Sequence, residues 1–276
     1  RSGCLQQFKR DKKQNSTKLH LDKYYTSIQL ANYCINKTYE IIGYDNISEI
    51  IEPSAGNGSF SNQIEGCIAY DIEPEDENIV KQDFLELNLN YKKERLIIGN
   101  PPYGARNTLS VQFFKKSIQI ADYIAFILPI SQLNNSQQMY EFDLIYSEDL
   151  GEQIYTDRKV HCCFNIYRRP KDKLNDKPNY KLKDVIITEV RLNNKKVDDY
   201  DLRICAWGAN IGKEVKDDNR FAKEFYIKIH DIKNKDRIIH ILKNVDWIKE
   251  YTMTSTPNLL QWQVYKYIKE QIPEIN

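Results

Sequence analysis

A chain of 276 residues, 41% hydrophobic and 12% aromatic, can bury one substantial core and a smaller second lobe, which excludes a chain that stays unfolded. Its formal charge of +1 hides an asymmetry: residues 1–150 carry 15 Lys+Arg against 20 Asp+Glu, and the rest carry 25 against 19, a tilt that fits a polyanionic partner or a solvated lysine-rich surface. Six scattered cysteines without a CxxC pair, and His20, His161, His230 and His240 with no paired spacing, argue against a zinc centre or a disulfide framework. No apolar run approaches the roughly 18 residues that would span a bilayer and no signal-peptide core opens the chain, so the expected setting is the cytoplasm.

Residues 1–20 are polar and lysine-rich and read as a loose arm. From Ser27 to Ile41 the apolar residues Ile28, Leu30, Ala31, Cys34 and Ile35 recur with a helical period, and Ser27 suits an N-cap. SEIIEP then reads as a buried strand closed by proline, and SAGNGSF as a glycine turn with a helix starting behind it. CIAYDIEP, VKQDFLEL and RLIIG supply further strand-like runs, the first two ending in Asp71 and Asp83. Residues 108–120 look helical, and ADYIAFILP and KVHCCFNIYRR look like strands. Strands alternating with helices or loops predict an α/β fold with a doubly wound, largely parallel sheet over residues 21–170. The lysine-rich stretch KDKLNDKPNYKLKD reads as a linker, which puts a domain boundary near residue 170. Residues 171–276 then read as a small α+β lobe, with strand-like pieces DVIITEVRL, DLRICAW and EFYIKI and a helix from about Asn258.

Two stretches carry the chemistry. EPSAGNGSF, residues 52–60, sets small residues directly after a strand, where glycines let the backbone turn and approach a ligand at the carboxyl end of an open sheet. It lacks the GK[ST] ending of a phosphate loop. Asp71 suits two ribose hydroxyls, and Asp83 an exocyclic amine. The second stretch is Asn100-Pro101-Pro102-Tyr103. Two prolines fix two φ angles and hold the corner stiff. The Asn100 side-chain oxygen and the Pro101 carbonyl can then accept both hydrogens of one amino group, drawing the nitrogen lone pair out of conjugation, while the Tyr103 ring offers a stacking face.

Together EPSAGNGSF and NPPY resemble the amino-methyltransferases that use S-adenosylmethionine, and in particular the DNA adenine N6 methyltransferases whose cofactor motif precedes the catalytic one. DKYYTSIQLANYCI adds the tyrosine and threonine that this family carries ahead of its first helix. The resemblance covers about residues 20–170 and implies a Rossmann-like methyltransferase fold. It implies Tyr25 and Thr26 near the methionine part of the cofactor, and Glu52, Pro53, Ser54, Ala55, Gly56 and Gly58 along its sulfonium and amino acid moiety. Asp71 would hold the ribose and Asp83 the adenine amino group, with Ile72 and Phe84 flanking the ring. Asn100, Pro101, Pro102 and Tyr103 would be catalytic, with Asn100 also beside the cofactor. Tyr155, ahead of Phe164 as the weaker choice, would form the second wall around a target base flipped from its duplex. No metal is implied.

RICAWGANIGKEVKDDNR offers Arg203, Trp207, Asn210, Lys213 and Arg220 for phosphates and base edges, and Arg106 for the substrate entrance. Residues 171–276 are thereby expected to recognise DNA, with a partner subunit or a cognate restriction nuclease as further partners. RNA adenines, or a non-catalytic nucleic-acid-binding subunit, are the alternatives.

Overall fold

The computed structural model describes residues 25–155, 158–216, 218–253 and 256–275, so the arm expected over residues 1–20 lies outside them. Helix α1, Ile28–Ile42, starts where Ser27 Oγ accepts from Leu30 N at 3.2 Å and ends at Gly43, whose N–H returns to Tyr39 O. Five short strands follow: β1 (Glu49–Glu52), β2 (Ile68–Asp71), β3 (Val80–Lys81), β4 (Arg95–Gly99) and, after helix α2 (Thr108–Ile120), β5 (Tyr123–Pro129). The long strands β6 (Asp143–Tyr155) and β7 (Arg158–Arg168) complete one sheet in the order β3-β2-β1-β4-β5-β7-β6. Neighbours from β3 to β5 are parallel, while β7 runs antiparallel to β5 and β6 antiparallel to β7. This is a Rossmann-like, doubly wound sheet with an antiparallel hairpin at one edge, the fold class that the alternation of strands predicts.

The pleat sends alternate residues to opposite layers. Leu96, Ile98, Ala125 and Ile127 pack with Ala31, Cys34 and Ile35 of α1. Ile97, Ile124, Phe126 and Leu128 pack with Phe113, Phe114 and Ile120 of α2. A separate core runs through residues 182–275, in which β8 (Val185–Arg191), β9 (Leu202–Cys205) and β10 (Lys223–Ile229) form an antiparallel sheet ordered β8-β10-β9. Helices α3 (Lys235–Asn244), α4 (Trp247–Glu250) and α5 (Gln261–Gln271) complete this lobe.

Two expectations need correcting, and one strand went unread. No α-helix follows the glycine turn; only a 3-10 turn, Ser61–Gln63, lies there, because Gly58 and Gly66, both at positive φ, bracket a segment too short to propagate a helix. Strand β6 escaped notice since it is a half-buried edge strand carrying Glu148, Asp149 and Glu152, without a clean apolar alternation. The lysine-rich linker is tied down: Asn175 N donates to Glu141 O at 2.9 Å, Asn175 Nδ2 to Asp143 Oδ1 at 2.9 Å, and Gln137 Nε2 to Pro178 O at 3.3 Å. Cys34, Cys162, Cys163 and Cys205 are free thiols inside the two halves, and Cys67 is half-buried.

Candidate active site

The carboxyl ends of β1, β2 and β4 and the turn after β3 open onto one cavity of about 200 Å³. At its floor, Glu52 is 2% exposed and its Oε2 accepts from Ser61 N at 2.8 Å. Burial pushes its carboxyl up to about 7, against the opposing pull of the Ser61 and Phe60 N–H groups. Gly56 has φ 56°, and a Cβ there would lie 3.5 Å from the Tyr25 ring. Its N–H donates to Asp71 Oδ2 at 2.8 Å, and Asp71 Oδ1 accepts from Glu73 N at 2.8 Å. Asp71 therefore braces the glycine turn as well as facing the cavity.

Asp83 caps the 3-10 turn Phe84–Glu86 by accepting from Leu85 N at 2.8 Å. Behind it Phe84 stacks on Phe113 with centroids 5.6 Å apart. Ile72 stands 39% exposed on the cavity wall, an apolar face without cover. Tyr25 donates to Glu75 Oε1, and Glu75 N–H reaches Gly56 O at 3.1 Å, so a strap crosses the glycine turn.

The corner after β4 is held from the side of α1. Asn100 Nδ2 donates to Thr26 Oγ1 at 3.2 Å, and the Thr26 carbonyl accepts from Ser59 Oγ at 2.6 Å. With its amide nitrogen so fixed, Asn100 is left with a buried Oδ1 that has no partner. Such an orphaned acceptor costs about 1–3 kcal/mol of desolvation, which a ligand donor would recover.

Of the predicted cofactor residues, Tyr25, Thr26, Glu52, Pro53, Ser54, Ala55, Gly56, Asp71, Ile72, Asp83, Phe84 and Asn100 line the cavity together, joined by Pro102. Gly58 does not. Its φ is 79° and a Cβ would meet Asn62 Nδ2 at 2.6 Å, so it serves the turn itself. Leu109 and Phe113 on α2, together with Gln82, also line the cavity. Phe113 was read only as part of a helical pattern, and nothing in its spacing marks it as more than core.

The expected substrate residues fare less evenly. Tyr103 and Tyr155 are brought together, but both are buried, at 7% and 2% exposure, and neither presents an open stacking face. Arg106 is exposed and lies off the cavity wall, held in a left-handed conformation at φ 55°. Arg203 is not a surface cation: it is 3% exposed and pairs with the buried Glu224 at 2.8 Å, an ion pair inside the C-terminal sheet. Arg220 approaches the same carboxylate at 3.4 Å. Lys213 is exposed and donates to Asn210 Oδ1 at 3.0 Å, and Trp207 is 40% exposed nearby in sequence. Among the described residues no His, Cys, Asp and Glu side chains cluster to hold a metal ion.

No protein-family model matches the sequence, and no curated protein matches it. Among solved structures, the chain is similar to PH1948 of Pyrococcus horikoshii, a proposed RNA methyltransferase, at 15% identity over 56% of this chain and 90% of that one, TM-score 0.44. It is similar to the 23S rRNA methyltransferase ErmE at 14% identity over 55% and 72%, TM-score 0.38. It is also similar to the magnesium protoporphyrin IX methyltransferase of Synechocystis PCC 6803, solved with bound SAM, at 12% identity over 59% and 96%, TM-score 0.38. What the site does chemically has to come from its own atoms.

Proposed function

We propose that this chain transfers the methyl group of S-adenosylmethionine to the N6 amino group of an adenine in DNA. The observation that carries the reading is Asn100: its amide nitrogen is held by Thr26, and its oxygen is a buried acceptor without a donor. The lining of the cavity beside it suits an adenosine joined to an amino acid. Its small-residue turn admits close backbone approach, Asp71 and Asp83 supply acceptors, and Ile72 and Phe84 offer apolar faces for a ring. When bound, S-adenosylmethionine supplies a methyl group on a sulfonium, an electrophile ready for a neutral nitrogen.

The protein's part is to present that nitrogen. Asn100 Oδ1 accepts one amino hydrogen and the Pro101 carbonyl the other, which turns the lone pair toward the methyl carbon. With the donor bound, the nitrogen would bond to the methyl carbon as the carbon–sulfur bond broke and a neutral thioether left, and the positively charged amine would then give its proton to water. Fixed acceptors of this kind stabilise the charge that develops without having to reorganise. A base in a duplex must leave its stack to reach them.

The test is transfer of a tritiated methyl group to unmethylated duplex DNA, single-stranded DNA and RNA in parallel, followed by nucleoside analysis. Label in N6-methyladenine from DNA is the expected outcome. Label confined to RNA moves the substrate, and none in either nucleic acid despite cofactor binding removes adenine as the acceptor.

A further inference from the structure

Tyr103, Tyr155 and Cys162 meet inside the layer that α1 shares with the sheet. Tyr103 Oη lies 3.4 Å and Tyr155 Oη 3.7 Å from Cys162 Sγ. The thiol's own proton faces Val160 O at 3.5 Å, which leaves the sulfur free to accept, and the two hydroxyls also bond each other, so the sulfur closes a three-member network that holds Tyr103 inward. Cys162 is fully buried, and the Tyr103 ring lies off the cavity wall although its neighbour Pro102 is on it. Three residues before Tyr103, the Asn100 Oδ1 acceptor is buried as well as unpartnered. A base cannot meet an acceptor that water cannot touch, so the corner must move before it can work.

The chain after Tyr103 is built for such a movement. Gly104, Arg106 and Asn107 have φ of 66°, 55° and 63°, three left-handed residues within four positions. Glycine is required at 104, where a Cβ would lie 2.9 Å from Leu109 Cγ and 3.1 Å from its backbone nitrogen. Gly104, Ala105 and Arg106 are exposed, and the bonds that a turn here would exchange are few: Gln138 Nε2 donates to Arg106 O at 3.3 Å and Asn107 Nδ2 to Ser131 Oγ at 3.1 Å.

We infer that Cys162 is a positioning residue that latches Tyr103 inward in the resting protein, and that admission of the target base turns Tyr103 outward about residues 104–107. This deepens the adenine-methylation reading and rests on it. In the latched state Asn100 lines the cavity with its Oδ1 out of reach of water, and the Tyr103 ring faces the α1 side; when the ring swings out, its face becomes a stacking wall beside that acceptor. A protein whose competent state is a minor one binds its substrate more weakly in proportion, so loosening the latch tightens apparent binding.

The experiment places 3-fluorotyrosine at position 103 and reads its fluorine resonance in the full-length protein, in Cys162→Ala and in Cys162→Ser. The expected result is one solvent-shielded resonance in the parent, a second, solvent-exposed resonance in Cys162→Ala, and a return to one in Cys162→Ser, whose hydroxyl still accepts. In parallel, KM for duplex DNA should fall about fivefold in Cys162→Ala, for an open fraction rising from about 2%, too small to show as a separate resonance, to about 10%, with a smaller change in kcat. A Cys162→Ala spectrum identical to the parent's, or an exposed resonance in the parent itself, overturns the latch. The expected spectra without methyl transfer to any nucleic acid leave the latch standing and sink the adenine reading instead.

Discussion

At the scale of single residues, two side chains make separable demands. Asn100 is the acceptor left unpartnered, so Asn100→Ala should lower the methyl-transfer rate by about 10²–10³, the loss of one preorganised contact of roughly 3–4 kcal/mol. Affinity for S-adenosylhomocysteine, measured by calorimetry, should stay within a few fold; full turnover in the variant would end the case for the corner. Glu52 makes the other demand. Its carboxyl rises from 4.5 to about 7 in the folded protein, so the folded state holds a proton that the unfolded chain has already released between those values. Its contribution is complete below about pH 4.5, declines as pH rises toward 7 and is gone above, a swing of about 3 kcal/mol. Melting temperatures of the parent and Glu52→Gln across this range should therefore diverge in slope, the variant losing the decline; parallel curves would mean that Glu52 titrates as it does in the unfolded chain.

Elements show what the sequence can and cannot announce. Gly58→Ala should cost about 1–2 kcal/mol through its positive φ alone, seen as a melting point lower by about 3–6 °C. Since Gly58 lies off the cavity, cofactor affinity should change far less than stability, and the opposite pattern would return Gly58 to the binding surface. The glycine turn, the acid that ends β2 and the one after β3, and the NPPY corner were legible because each comes with a short strand-like run and each chemistry is local. Strand β6 was not, because an edge strand needs no apolar alternation when one side meets water. Helix α3 buries only Ile238 and Leu242 and stood unread among charged neighbours. Arg203 looked like a surface cation because its partner, Glu224, lies 21 positions away. The inward turn of Tyr103 depends on Cys162, 59 positions downstream, and no spacing rule connects them.

Over the whole molecule, the two separate cores predict two separable activities. A chain ended after Asn179 keeps the linker's bonds to Glu141 and Gln137 and forgoes only the second core. It should fold and bind S-adenosylhomocysteine but lose most of its affinity for duplex DNA, checked by fluorescence anisotropy across salt concentrations. In the intact chain log affinity should fall linearly with log salt; unchanged DNA binding in the shortened chain would remove the recognition role from the C-terminal lobe. The buried thiols have a consequence of a different kind. Cys34, Cys162 and Cys163 lie in one half and Cys205 in the other, all shielded while folded. Under excess alkylating reagent each thiol becomes a stopwatch that starts only when its own surroundings open, and peptide mass spectrometry reads every dial from one tube. The protein thus reports the order in which its halves come apart, with no change of sequence.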